Sequence, residues 1–167
     1  MKGEVIHILC KRDPFLKSRF VGFSSPDVPI PKIHKFPALF ILNTDISTGP
    51  GRHWCTATFF NNGVCEFFDP LGHPPDFYHF QKELFKKCKR IVYNGTPVQS
   101  NFSKTCGHHC IMFNYFRARE MSSECIFTEY YTDSLNLNDH KAFLFIFNTF
   151  GPQFALIEKD NQNYRGY

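Results

Sequence analysis

One stretch of the sequence constrains the fold more than any other. Two runs rich in β-forming residues, 53–60 and 64–69, are separated by Asn61-Asn62-Gly63. An Asn-Gly pair between two such runs is a strong β-hairpin signal, because both residues tolerate the positive φ angles of tight hairpin turns. The sequence therefore predicts an antiparallel strand pair near its centre, around which the other elements must pack.

Further elements are predicted on both sides of this hairpin. We expect strands at 38–43 and 89–93, and helices at 76–87, from Cys106 onwards and at 139–150. The first 37 residues contain five prolines and are predicted to be irregular, and the tail from residue 158 is predicted to be frayed. Central strands with helices before and after them predict an α+β fold.

Composition narrows the class of protein. The 167 residues fit a single domain over residues 1–167, and 43% hydrophobic against 20% charged residues argues against disorder. Phenylalanine occurs 21 times, so the core is expected to be rich in aromatic rings. The apolar runs are too short to cross a bilayer, and no signal peptide is visible. We therefore expect an intracellular protein that is neither secreted nor embedded in a membrane.

The net charge is compatible with DNA binding, and the cysteine content with a reactive thiol, but neither feature requires such a function. Nineteen Lys and Arg against fifteen Asp and Glu give a net charge of +4, and basic residues concentrate at 82–90. This balance permits contact with a polyanion such as DNA, although exposed helix surfaces often look the same without binding anything. Seven cysteines without a secretion signal favour free thiols, of which at least one is expected to be reactive.

Cys106 has a setting that is unusual for a structural cysteine. It lies where a polar loop meets a predicted helix, and a helix N-terminus lowers the pKa of a thiol. Gly107 would let a substrate backbone approach closely. Gln99, seven residues upstream, carries an amide that could donate to an oxyanion beside the thiol. These features make Cys106 a candidate nucleophile.

A thiol nucleophile needs a base and a group that orients the base. His53 and Asp69 stand at the outer ends of the two hairpin strands, so the predicted pairing puts them side by side at one sheet edge. These residues and Gln99 can also be interpreted without a catalytic role. His53 would then be a half-buried strand histidine, Asp69 a turn former before Pro70, and Gln99 a loop residue. The hypothesis depends on their acting together.

A zinc site offers a rival interpretation of the same segment. Residues 106–110 read Cys-Gly-His-His-Cys, and zinc accepts both cysteine and histidine ligands. On a single helix only Cys106, His109 and Cys110 share a face, whereas structural zinc sites usually join two separated ligand pairs. We therefore predict no metal site, and interpret Cys110 as an apolar core residue one turn after Cys106.

Several sequence blocks occur together in a recognisable order. They are RFVGFSSP at 19–26, an apolar run at 38–44 leading to GRHW at 51–54, FFDPLG at 67–72, VQS at 98–100, TCG at 105–107 and CIMF at 110–113. In this order and spacing, residues 8–117 resemble the adenovirus endopeptidase (adenain) family, with relatives in related large DNA transposons and viruses. The region beyond Arg119 matches no family motif.

The resemblance implies an α+β fold with a papain-like core, shared with ubiquitin-like-protein proteases, in which a central mixed sheet is flanked by helices. It implies Cys106 as nucleophile, His53 as base, Asp69 as orienting acid and Gln99 as oxyanion donor, in the chain order His, Asp, Gln, Cys. Adenoviral enzymes typically carry glutamate where this chain has Asp69, and SUMO-cleaving proteases use aspartate there.

The function implied is that of a cysteine endopeptidase that cleaves viral precursor proteins at glycine-containing sites, in the virion and the host nucleus, with no cofactor required for the chemistry. Two alternatives remain: an isopeptidase acting on ubiquitin-like proteins, and a non-enzymatic virion or nucleic-acid-binding module that has kept the fold.

Cys88 is the candidate for regulation. The resemblance implies that a basic activator peptide, released from a capsid precursor, forms a disulfide with a cysteine eleven residues before the oxyanion glutamine, and Cys88 stands there. It lies in the basic run 86–90, which could also hold DNA by counterion release. The alternative is that Cys88 is a core residue leading into the strand at 89–93.

Overall fold

A five-stranded sheet forms the centre of the fold, with its strands in the order β1-β2-β3-β4-β5. The strands are β1 (Phe20–Ser24), β2 (Ala38–Asn43), β3 (Trp54–Phe59), β4 (Val64–Phe68) and β5 (Arg90–Tyr93). The helices are α1 (Gly3–Arg12), α2 (Pro14–Arg19), α3 (Gln81–Phe85), α4 (Cys106–Ala118), α5 (Ser123–Tyr130) and α6 (Leu135–Phe150). This computed structural model describes residues 1–151, so the tail predicted from residue 158 lies outside the described residues.

The sheet is mixed, and its centre is the predicted hairpin. β3 pairs with β4 in antiparallel register, with Thr58 opposite Glu66, and Gly63 has a φ of 80° in the connecting turn. β2 is antiparallel to β3, while β1 and β5 add in parallel at the two edges. The predicted α+β fold with a central mixed sheet and flanking helices is therefore confirmed.

β2 shows why one apolar run can serve two cores. Alternate side chains of a strand point to opposite faces of the sheet. Leu39 and Ile41 pack into the core under α1, α2, α4 and α6, while Phe40 and Leu42 pack into the core on the other face, together with Phe80. The sheet is thus covered on both faces, as a continuous apolar run predicts.

The prediction that residues 1–37 are irregular is wrong for residues 3–24, which form α1, α2 and β1. Pro14 occupies the first turn of α2, where a missing N–H costs nothing. The Asp13 carboxylate accepts a hydrogen bond of 2.9 Å from the backbone N–H of Leu16 and so caps this helix. The remaining prolines lie after β1, where the chain has neither helix nor strand.

The single helix predicted at 76–87 is only partly confirmed, because the α-helix is limited to Gln81–Phe85. The chain forms a short 3-10 turn at Pro75–Tyr78, and His79 then adopts a left-handed conformation with a φ of 63° before the five-residue α3 begins. Helical spacing of apolar residues is present, but a left-handed residue ends a right-handed helix. The helix α5, which begins after its cap Ser122, was not predicted, and α6 begins four residues earlier than predicted.

No helix within residues 1–151 has both the length and the apolar character needed to cross a membrane.

The helix α4 is fixed against the hairpin by aromatic stacking. The Phe68 ring, at the end of β4, stacks on the Phe113 ring of α4 with centroids 4.2 Å apart and planes 2° from parallel. Lower on the same helix, Arg117 forms a 2.7 Å ion pair with Glu66 of β4. These contacts set the position of the start of α4 relative to the end of β4.

Replacing Phe113 with alanine should therefore destabilise the fold strongly. Removing a fully buried phenylalanine side chain costs about 3–5 kcal/mol, because apolar contacts are lost and a cavity remains. Chemical denaturation of Phe113→Ala against wild type measures this loss. Phe102→Ala is the matched control, since Phe102 is 97% exposed and its removal should leave the midpoint almost unchanged. Equal stability of the two variants would contradict the proposed packing.

Candidate active site

Three of the predicted site residues line one cleft. His53 precedes β3, Cys106 is the first residue of α4, and Gln99 lies in the loop before that helix. The side chains of all three border a cleft of about 520 Å³. Since β3 and β4 are antiparallel, the start of β3 and the end of β4 share one sheet edge, which places Asp69 behind His53.

The His53 imidazole is hydrogen-bonded to the Asp69 carboxylate, with 2.6 Å between Nε2 and Oδ1. Asp69 is fully buried, and its carboxylate accepts three further hydrogen bonds, from the backbone N–H groups of Leu71 and His73 and from the Tyr78 hydroxyl. Burial alone raises the pKa of Asp69, but its bonds with His53 and these donors lower it below the ordinary value. Asp69 is therefore a carboxylate that fixes the orientation of His53.

The Cys106 thiol lies close enough to the His53 ring for each group to shift the pKa of the other. Because Asp69 occupies Nε2, the ring nitrogen left for the thiol is Nδ1. Burial lowers the pKa of His53, yet the interactions with Asp69 and Cys106 outweigh it and raise the pKa to about 9. Burial raises the pKa of Cys106, and the proximity and charge of His53 outweigh it and bring that pKa below its ordinary value. The two shifts favour a thiolate–imidazolium pair.

The Gln99 side chain is 3% exposed and borders the cleft beside Cys106. Its Nε2 donates one hydrogen bond of 3.0 Å to the backbone carbonyl of Ser103, and its Oε1 is buried without a hydrogen-bond partner among the described residues. An amide nitrogen has two hydrogens, so one hydrogen fixes the amide while the other stays available to a bound oxygen atom. The backbone N–H groups of Val98 and Gln99 both donate to the Pro70 carbonyl, which ties this loop to the turn after Asp69.

Two residues that were not predicted, Asn94 and Tyr78, support Asp69. Asn94 holds the backbone of Asp69 on both sides, accepting from its N–H at 3.0 Å and donating to its carbonyl at 2.7 Å. The Tyr78 hydroxyl donates to Asp69 at 3.0 Å, and its ring lies 5.9 Å from that of His53. Asn94 follows β5 and Tyr78 ends the 3-10 turn, so no local sequence signal links either residue to Asp69.

Cys88 lies apart from these residues, between α3 and β5, and does not border the cleft. Its side chain is half-buried, and its Sγ donates to the Leu84 carbonyl at 3.2 Å. A hydrogen bond with the buried Cys65 thiol lowers the pKa of Cys88. The basic side chains of the run 82–90 are exposed around it, at Lys82, Lys86, Lys87, Lys89 and Arg90.

Two of the residues that the alternative zinc site would need, His109 and Cys110, form hydrogen bonds to other groups. His109 is hydrogen-bonded to Asp139 and Tyr131, and the Cys110 Sγ donates to the Trp54 carbonyl at 3.2 Å. Among the described residues, His53, Cys55 and Asp69 do bring three ligand atoms within 4.8 Å of one another. Two of these ligand atoms are hydrogen-bonded to each other, with His53 Nε2 2.6 Å from Asp69 Oδ1, and both oxygens of Asp69 accept further hydrogen bonds.

No family model matches the sequence. The fold is similar to the crystal structure of the selenomethionine form of the ASFV pS273R protease, with a TM-score of 0.48 and 17% sequence identity. The similarity covers 85% of this chain and 66% of that chain, so the chain spans slightly less than two thirds of the length of the protein it matches.

The paired pKa shifts predict a thiol that reacts at low pH. The thiolate exists above the lowered pKa of Cys106, and the imidazolium persists up to about pH 9, so the ion pair is populated between these limits. Iodoacetamide at about pH 6 should therefore alkylate Cys106 first among the seven cysteines, with the exposed Cys125 as internal reference.

His53→Ala removes the partner charge, so the pKa of Cys106 should rise and its alkylation at about pH 6 should slow by about tenfold or more. Mass spectrometry of the alkylated peptides gives both rates. Faster labelling of Cys55, Cys65 or Cys110 in the native protein would contradict the geometry, because all three are fully buried.

Proposed function

We propose that the chain is a cysteine endopeptidase in which Cys106 is the nucleophile, His53 the general base and acid, and Asp69 the group that orients His53. The observation that supports it best is the set Cys106, His53 and Asp69: His53 is hydrogen-bonded to a buried carboxylate, it lowers the pKa of the Cys106 thiol, and the thiol borders the cleft. A merely structural cysteine does not need a histidine whose second nitrogen is held by a buried carboxylate.

The reaction follows from the position of the protons. The Cys106 thiolate attacks the carbonyl carbon of the scissile peptide bond, and the carbonyl oxygen becomes an oxyanion. The His53 imidazolium then gives its proton to the departing amine, which leaves a thioester on Cys106. Neutral His53 takes a proton from water, and the resulting hydroxide attacks the thioester to release the carboxylic acid and regenerate the thiolate.

The oxyanion needs donors that point into the cleft. We propose two: the free amide hydrogen of Gln99 and the backbone N–H of Cys106. The first N–H groups of an α-helix have no partner within the helix, so the Cys106 N–H is available at the start of α4. Donors of this kind are fixed in advance and gain strength when the bound peptide excludes water.

For the substrate we propose viral precursor proteins cleaved at glycine-containing sites, in the virion and the host nucleus. The support is the motif resemblance over residues 8–117 to the adenovirus endopeptidase family. A second candidate is an isopeptidase for ubiquitin-like proteins, whose tails end in Gly-Gly. Asp69 favours the isopeptidase, because SUMO-cleaving proteases carry aspartate at this position.

Cleavage of two substrates separates these functions. The protein should cleave a longer peptide after an internal Leu-Xaa-Gly-Gly segment, and it should act poorly on a ubiquitin-like protein carrying a C-terminal fluorophore. Cys106→Ala is the control and should abolish cleavage while leaving the melting temperature unchanged. Preferential cleavage of the ubiquitin-like tail would support the isopeptidase, and cleavage of neither substrate would support a non-enzymatic module.

We further propose that a basic, cysteine-bearing activator peptide and DNA regulate the protease through the surface around Cys88. The half-buried thiol has a lowered pKa, which favours disulfide exchange, and five exposed cations lie in the same stretch of the chain. The same cations would bind phosphates. Because a basic peptide is repelled by this surface, DNA would also serve to offset the repulsion.

Cys88→Ser should reduce activation by a cysteine-bearing basic peptide and leave basal turnover unchanged. Cys125→Ser is the matched control, since Cys125 is an exposed cysteine on α5 outside the basic run. Stimulation by DNA should fall steeply as salt is added, because binding releases counterions. Full activation of Cys88→Ser, or maximal activity of the protein alone at high salt, would contradict the regulatory proposal without touching the protease assignment.

A further inference from the structure

One carboxylate outside the motif-bearing region contacts both ends of the loop that joins Gln99 to Cys106. Asp139 lies on α6, and its side chain is 12% exposed. Its Oδ2 accepts a hydrogen bond of 3.2 Å from the backbone N–H of Ser100, and its Oδ1 accepts one of 2.6 Å from the hydroxyl of Thr105. Residues 100–105, hereafter the 100–105 loop, are therefore held at their first and last residues by the same side chain.

A buried histidine fixes this carboxylate in turn. His109 lies one turn along α4 from Cys106 and is fully buried, and its Nε2 lies 3.0 Å from Asp139 Oδ1. Its Nδ1 lies 3.3 Å from the hydroxyl of Tyr131, which follows α5. Nε2–H therefore donates to Asp139 while Nδ1 accepts from Tyr131. The Asp139 carboxylate is therefore hydrogen-bonded both to α4, through His109, and to the 100–105 loop, and it holds the loop in place against the helix.

Hydrogen bonds inside the 100–105 loop connect Asp139 to the side chain of Gln99. The Thr105 hydroxyl is 2.6 Å from the Ser103 hydroxyl, and the Thr105 backbone N–H also bonds to that Ser103 oxygen at 3.2 Å. The Ser103 carbonyl accepts the hydrogen bond that fixes the Gln99 amide. An unbroken series of hydrogen bonds thus runs from Asp139 through Thr105 and Ser103 to the Gln99 side chain.

We infer that Asp139 is a positioning residue for the oxyanion site, holding the Gln99 amide and the start of α4 at the separation that a tetrahedral intermediate requires. The inference rests on the proposed protease function. Asp139 does not touch the thiol or His53, so its effect passes only through the 100–105 loop and α4. Because the oxyanion forms only during the reaction, the loss should fall on kcat rather than on KM.

Asp139→Asn should lower kcat for the Leu-Xaa-Gly-Gly peptide by about 10- to 100-fold with little change in KM, since small displacements of catalytic groups have effects of this size. Two further measurements separate positioning from general damage. Inhibition by a peptide aldehyde, whose tetrahedral hemithioacetal adduct with Cys106 places the former carbonyl oxygen at the proposed oxyanion site, should weaken together with kcat. Alkylation of Cys106 by iodoacetamide builds no oxyanion, so its rate should be unchanged.

The controls use neighbouring residues. Asp133→Asn removes an equal charge from an exposed position just before α6 and should behave as wild type. Gln99→Ala, which removes the donor itself, should lose about 10²–10³-fold in kcat and so set the upper limit of the effect. If Asp139→Asn fails to fold, the pair Thr105→Val and Thr105→Ser replaces it. The valine variant loses the hydroxyl and should lose activity, and the serine variant keeps the hydroxyl and should retain activity.

The outcomes distinguish this inference from the proposed function. An active wild type with unchanged kcat and aldehyde affinity in Asp139→Asn, or in Thr105→Val where that pair is used, would overturn the positioning role and leave the protease standing. Equal losses in kcat and in alkylation rate would also overturn it, because they would show a disturbed thiol. An inactive wild type would remove the proposed function and this inference together.

Discussion

The candidate site depends on the hydrogen bonds that the buried carboxylate of Asp69 accepts. An ionised group without access to water is costly unless hydrogen bonds replace its hydration, and Asp69 accepts four of them. Three come from groups that follow Asp69 within nine residues, two of them backbone N–H groups in the tight turn, so the chain itself solvates the charge. Because the charge is retained, His53 can hold a proton next to the Cys106 thiol.

Aromatic packing explains how three distant chain segments keep this arrangement. Phe68 precedes Asp69 directly, and its ring stacks on Phe113, two helical turns beyond Cys106. This stacking contact therefore fixes the Asp69 carboxylate in position relative to α4, the helix that begins with Cys106. A sheet covered by large rings on both faces leaves little freedom for either element to move, which suits a site whose hydrogen bonds must be formed before a substrate binds.

The candidate site also shows two ways of placing a carboxylate that is proposed to support the reaction. Asp69 acts directly on an imidazole, while Asp139 is bonded to a loop and to a helix start, and it reaches the cleft only through them. Asp69 is covered by the turn that follows it, whereas Asp139 is covered by elements distant in sequence. Asp69 could be found from the sequence because the predicted hairpin pairs its strand with the strand that His53 precedes, whereas no local pattern points to Asp139.

The central hairpin could be predicted because its signal is local: strand-forming residues on both sides of Asn61-Asn62-Gly63 allow little else. The start of α4 at Cys106 was predictable for a similar reason, and the pairing of β3 with β4 then placed His53 beside Asp69. Local signals failed where backbone conformation or capping overruled them. His79 interrupts a helix that apolar spacing favoured, and Asp13 with Pro14 begins one where prolines suggested irregular chain.

The sequence by itself thus determined the strand pair, the helix that begins with a thiol, and the residue types that can perform the proposed chemistry. Only the tertiary structure decided which groups support them. Asn94 bonds to Asp69 across 25 residues, and Asp139 bonds to Ser100 and Thr105 across 39 and 34 residues. Such partners are chosen by how helices and strands pack, and packing depends on the whole chain at once, so no short pattern in the sequence can encode them.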